Sequence, residues 1–244
     1  TSMGVETLQI PMFGLYGACS TSGEALALAS MSVAAGYGER MLAVTSSHFG
    51  SAEKEFRFPL GYANQRPLSA HWTVTGSGAF IVGKNRSHVR ITGVTVGKIV
   101  DYGLKDSQNM GACMAPAACD TIIQNLEDFE RKETDYDRII TGDLGYVGQS
   151  ILFDLMRGKE HDIKINHMDC GMTIFDQNLQ DTHAGGSGCG CAAATLSAYI
   201  LPKISRGEWK RVLFVPTGAL MSTVSYNEGA SVPGIAHGIV LEHC

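Results

Sequence analysis

The chain has 244 residues, 44% of them hydrophobic, with 19 Lys and Arg against 24 Asp and Glu for a net charge of −5. That supply of apolar side chains suffices for a core of one large domain or two smaller ones. No basic run exceeds two residues, which argues against nucleic acid as a partner, since phosphate binding needs a clustered positive face. No stretch of about 18 apolar residues is present to cross a bilayer, and the opening reads as the middle of a domain, without a signal peptide. The seven cysteines are odd in number and lie in apolar or glycine-rich settings. They suit a reducing interior better than a disulfide framework.

In chain order, "LYGACSTSGEALALASMSVAAG", residues 15–36, predicts a buried, alanine-rich helix with Cys19 at its N-terminus. "MLAV" after Arg40 and "TGSGAFIVG" predict two apolar strands. "HVRITGVTVGKIVDYG", residues 88–103, reads as a further strand that opens a second half. "MAPAACDTIIQNLEDFERK" predicts a helix with Pro116 in its first turn. "DYDRIITGDLGYVGQSILFDLMRG" reads as a short strand, a glycine-rich turn and a helix ending at Gly158. The segment from "HAGGSGCGCAA" to "VLFVPTG" then repeats the earlier pattern: glycines, alanine-rich helix, Gly-Glu, arginine, apolar strand and a loop of small and hydroxyl residues. "GIAHGIVLE" closes the repeat. Such duplication predicts two similar α/β halves, residues 1–87 and 88–244, with two central helix N-termini facing one cleft. Helix N-termini carry unsatisfied N–H groups and partial positive charge, so the cleft suits an anion.

The duplicated halves, "YGACSTSGEAL", "HAGGSGCGCAA" and "GIAHGIVLE" resemble the thiolase superfamily, which includes the ketoacyl synthases. "EFRFPLGYANQRPLSAHWTVTGSGAF", "DLGYVGQSILFDLM" and "THAGGSGCGCAA" are more specifically similar to the stage V sporulation protein AD family, along essentially the whole chain. The resemblance implies a thiolase-like α/β fold with layered sheets and buried central helices. It also implies an opening strand and helix layer ahead of "GVETLQIP", which the first half is expected to lack.

Enzymes of this superfamily pair an activated cysteine with His and His, or His and Asn. Cys19 stands in the nucleophile's place, where a helix N-terminus lowers a thiol pKa. In the ketoacyl synthase III pattern a histidine follows the strand that here reads "RIITGDLGYVGQ"; this chain has Asp143 instead. The asparagine's place falls among Ala184, Gly185 and Gly186. A carboxylate beside a thiolate and an enolate repels both. The residues therefore read as a retained cleft with a dismantled catalyst, the alternative being an acyltransferase or condensing enzyme that uses Cys19 with His183.

The family implies dipicolinic acid as ligand, free or with calcium, taken up in sporulation and released in germination. It further implies membrane-embedded stage V sporulation A proteins as partners, a peripheral place at the spore inner membrane, and a homodimer. The expected ligand-binding residues are Cys19, Asp143, His183, Gly185, Gly186, Ser187, Arg66 and Asn64. No resident cofactor is expected, and Asp143 is the candidate calcium partner. Ser187 reads by default as a helix cap, His71 as a packed or loop histidine, and His237 as a core residue.

Overall fold

The computed structural model describes residues 6–56 and 66–244. The alanine-rich segment forms helix α1 (Thr21–Ala35), entered through a 3-10 turn (Ala18–Ser20) that carries Cys19 and ended by Gly36 in the left-handed region at φ 84°. Strand β1 (Arg40–Ser47) and helix α2 (Phe49–Phe56) follow, then β2 (Trp72–Thr73), β3 (Gly76–Gly83) and β4 (Val89–Thr95). The strand read at 88–103 is therefore shorter than its apolar pattern. Beyond Thr95 only Val100 pairs, through an isolated bridge to Gly234.

Helix α3 (Met110–Asp128) begins six residues before Pro116, because the Asn109 side chain accepts from Ala112 N at 3.3 Å and caps the helix early. Pro116 thus lies inside the helix, not in its first turn. The loss of its N–H is offset by Ala115, Ala117 and Ala118, which are wholly buried. The chain continues through β5 (Arg138–Thr141), α4 (Gly145–Arg157), β6 (His167–Asp169), α5 (Cys170–Thr173), β7 (Gly186–Ser187) and α6 (Cys189–Thr195). A π turn (Leu196–Ile200) joins α6 to α7 (Leu201–Ser205), and β8 (Arg211–Val215), β9 (Thr217–Ala219), α8 (Thr223–Asn227), β10 (Gly234–Ala236) and β11 (Gly238–His243) complete the chain. "GIAHGIVLE" is split at His237, a buried residue whose Nδ1 accepts from Gly97 N at 3.3 Å.

Four layers result. The five-stranded sheet runs β4-β11-β8-β5-β6, with β5 parallel to β6 and β8, and β11 antiparallel to β8 and β4. Its successive side chains part to opposite faces. Ile139, Leu213, Val215 and Val240 pack under α3 and α4. Ile140, Phe214, Ile239 and Leu241 pack against α1, α6 and α7. The antiparallel pair β1–β3 covers the far side of those central helices through Ala43 and Phe80. Helix, strand and antiparallel strand recur in order: α1, β1, β3 in the first copy, and α6–α7, β8, β11 in the second.

The two copies interlock at the central helix starts. The end of β1 meets α6, where Gly190 N donates to Ser47 Oγ at 3.0 Å and Cys189 Sγ donates to Ser46 O at 3.2 Å. The segment after β8 meets the turn before α1, so closely that a Cβ on Gly218 would stand 2.4 Å from Gly17 O and 3.3 Å from Cys19 N. Gly218→Ala is therefore expected to cost about 1–3 kcal/mol by overpacking. Thermal unfolding should show a loss of several degrees in Tm; an unchanged Tm would contradict this packing.

Candidate functional site

The segment that leads to Cys19 is held in an unusual backbone state. Ala18 takes φ 50°, in the left-handed region that costs an alanine about 1–2 kcal/mol. The turn is fastened by Ser20 Oγ donating to Gly17 O at 2.6 Å and Thr21 Oγ1 donating to Ala18 O at 2.7 Å. Strain of this kind persists where surroundings over-determine it, as at functional sites. Cys19 is left half-buried, at the N-terminal end of a buried helix.

Across from it stands Ser187, in β7. Cys19 Sγ lies 3.7 Å from Ser187 Oγ, and Ser187 Oγ donates to Asp143 Oδ2 at 2.5 Å. Gly188 N donates to the same oxygen at 2.9 Å, and Thr217 Oγ1 donates to Oδ1 at 2.9 Å. Asp143 N completes the loop by donating to Thr217 Oγ1 at 3.2 Å. Asp143 is 1% exposed. Three donors on its two oxygens repay the desolvation that burial demands. Among the described residues no group of three or more His, Cys, Asp or Glu side chains is placed to hold a metal.

Ser187 does not cap α6; the residue at the cap is Gly188, and no side chain caps that end. The serine serves Asp143 instead. Its one hydroxyl proton points to the carboxylate, so toward Cys19 it can only accept. The thiol is then the donor of that contact, and a thiolate would face the oxygen's lone pairs.

Gly185 and Gly186 are walls of the interior. Trp72 N donates to Gly185 O at 2.9 Å, and β2 pairs in parallel with β7. A Cβ on Gly186 would meet Ile174 at 2.7 Å and Val74 at 3.0 Å, so only glycine fits that position without a shift. His183, at φ 51°, points its Nδ1 at Pro67 O, 2.9 Å away; a carbonyl only accepts, so Nδ1 carries the proton. Its Nε2 faces Asp181 Oδ1 at 3.3 Å. Nδ1 thus ties His183 to the strap formed by residues 66–70 and 181–184, which Ala184 N also joins through Ala70 O at 3.0 Å. Arg66 is buried on that strap, its guanidinium 4.8 Å from the Trp72 ring centre, with Phe49 stacked on Trp72 at 4.8 Å. Asn64 lies outside the described residues. His71 is packed in the interior with Nε2 3.2 Å from Leu144 O.

The structure therefore brings Cys19, Ser187 and Asp143 into one chain of hydrogen bonds, and sets His183 and Arg66 in the neighbouring strap. Two contributors escaped the sequence reading. Thr217 belongs to the hydroxyl-bearing loop that follows each repeated strand, and that position was its signal. Asp169 had none. It sits in "HMDCG" on an edge strand, yet its carboxylate accepts from Thr141 Oγ1, Leu144 N, Gly145 N and Met172 N. Burial pushes its pKa up to about 6.

The fold is similar to that of several solved enzymes. AbyA1, a tetronic acid condensing enzyme, aligns with a TM-score of 0.62 and 14% identity, covering 99% of this chain and 72% of that one. The 3-oxoacyl-[acyl-carrier-protein] synthase III from Aquifex aeolicus VF5 gives 0.60 and 12%, over 99% and 70%. The Acat5 thiolase from Ascaris suum gives 0.57 and 9%, over 94% and 78%. At such identities the likeness establishes a thiolase-like fold and nothing about activity. In sequence, the stage V sporulation protein AD of Bacillus subtilis (strain 168) is 44% identical over 235 residues, 96% of this chain and 69% of that protein. Residues 1–242 also fit the sequence family of stage V sporulation protein AD. The chain accordingly belongs to the stage V sporulation protein AD family.

Proposed function

We propose that the cleft floored by Cys19, Ser187 and Asp143 is a non-catalytic binding site for a small planar dicarboxylate, dipicolinic acid, in sporulation and germination. The observation that carries this reading is the direction of the Ser187 hydroxyl. Ser187 spends its proton on Asp143 at 2.5 Å, which leaves Cys19 beside an acceptor and stabilises the thiol over the thiolate. Condensation and acyl transfer require the thiolate. The carboxylate that directs Ser187 also stands in the place of a condensing enzyme's histidine, and His183 gives its Nδ1 proton to Pro67 O.

The N-terminal end of α1 supplies the partial positive charge that an anionic ligand needs. Buried Arg66, stacked on Trp72, adds a cation beside a planar aromatic surface. Calcium enters this reading as part of the ligand's own chelate, with Ser187, Gly188 and Thr217 already donating to the Asp143 oxygens. Uptake into developing spores and later release would occur with membrane-embedded stage V sporulation A proteins, at the spore inner membrane. Among the described residues no helix is long and apolar enough to cross a membrane, so the reading places the protein peripherally. A homodimer completes the proposal.

Calorimetry with dipicolinate should show saturable binding by the wild-type chain, retained in Cys19→Ala and weakened by at least tenfold in Arg66→Ala. Absence of wild-type binding would reject the ligand. A second measurement addresses the thiol. Ser187→Ala removes the acceptor that holds the proton on Cys19, worth about 1 kcal/mol, so alkylation of Cys19 by iodoacetamide at pH 7 should accelerate roughly 5-fold. Slower alkylation would mean that Ser187 donates to a thiolate, and would favour the reading of Cys19 with His183 as an acyltransferase.

A further inference from the structure

The segment Thr141–Gly145 is clasped between two carboxylates. Asp143 reaches to one side, toward Ser187, Gly188 and Thr217. From the other side Asp169, 2% exposed, takes four donors. Its Oδ2 accepts from Thr141 Oγ1 at 2.6 Å and Leu144 N at 2.9 Å; its Oδ1 accepts from Gly145 N at 3.2 Å and Met172 N at 3.1 Å. Two of those donors are the backbone amides directly after Asp143.

The turn has no slack with which to absorb a change. Gly145 holds φ 63°, and a Cβ there would stand 2.1 Å from Ala184 O and 2.7 Å from His71 Nε2. Tyr146 N donates to Ala184 O at 3.0 Å. Release of the Leu144 and Gly145 amides would therefore swing Asp143, and with it Ser187 and the contact to Cys19.

We infer that Asp169 is the positioning residue of the cleft: its negative charge holds the Leu144 and Gly145 amides and so sets Asp143, Ser187 and Cys19 for ligand binding. The inference rests on reading that cleft as a ligand site. The groups facing Asp169 are Asp143 across the turn, His167 through Thr141, and the thiols of Cys170 and Cys191. His167 Nε2 lies 3.0 Å from Thr141 Oγ1; since that hydroxyl gives its proton to Asp169, His167 donates to it. Burial holds His167 down at about 3, so the imidazole is neutral, and holds both thiols well above their usual range. Burial likewise raises Asp169, to about 6, with the Asp143 charge adding to the rise and its own hydrogen bonds opposing it.

The sign follows. Above about pH 6 Asp169 is ionised and keeps all four donors; below it, the added proton converts one acceptor into a donor that faces N–H groups. Dipicolinate affinity in the wild-type chain should therefore be level above pH 7 and fall toward tenfold per pH unit below about 6. Asp169→Asn, isosteric but uncharged, should bind at least tenfold more weakly at pH 7.5 with no inflection near 6, while circular dichroism shows the same fold. Thr141→Val removes one donor and should move the wild-type inflection to higher pH, which decides the matter if Asp169→Asn does not fold. Wild-type affinity and pH profile retained in Asp169→Asn would overturn the inference and leave the ligand reading standing. If the wild-type chain binds no dipicolinate, the ligand reading fails, and the pH profile of Cys19 alkylation serves instead. An inflection near 6 that Asp169→Asn abolishes supports the positioning role; a wild-type profile without that inflection overturns it.

Discussion

The site depends on the burial of Asp143. A carboxylate taken almost wholly out of water costs several kcal/mol unless donors replace its hydration. In this chain those donors come from three places distant in sequence: Ser187, the Gly188 amide and Thr217. Satisfying one carboxylate therefore fixes the relative position of β5, β7 and β9. The floor beside Cys19 is a consequence of that requirement. So is the direction of the Ser187 proton, because a hydroxyl held 2.5 Å from a carboxylate has no proton left to stabilise a thiolate.

The duplicated architecture brings this carboxylate beside the Cys19 turn through Ser187. The small and hydroxyl residues at or just beyond the end of each repeated strand reach the helix start of the opposite copy. Ser46 and Ser47 meet Cys189 and Gly190; Thr217 and Gly218 meet Asp143 and the Cys19 turn. Both helix starts are thereby held by the other half. Packing, not reactivity, maintains that shape. The strained φ of Ala18 belongs to the same frame: the fold still presents residue 19 as it would a nucleophile.

Much of this was legible in the sequence because periodicity and glycine punctuation report burial and turns directly. The repeat, the Cys19 helix, the ending at Gly158 and the buried place of His237 all follow from local pattern. Boundaries decided by side-chain capping did not: Asn109 starts its helix early, which moves Pro116 into the interior. Ser187 looks like a cap because serine beside a helix start usually is one, but its hydroxyl donates to a buried carboxylate and Gly188 takes the cap position. Asp169 was illegible for a physical reason: its partners are mostly backbone amides, which leave no trace in residue identity.

The account stands on Cys19 being a thiol held by Ser187 and Asp143, not a nucleophile. Intact-mass measurement after incubation with acyl-coenzyme A tests this most directly. The account predicts an unchanged mass for the wild-type chain. A stable acyl adduct that disappears in Cys19→Ala would contradict it.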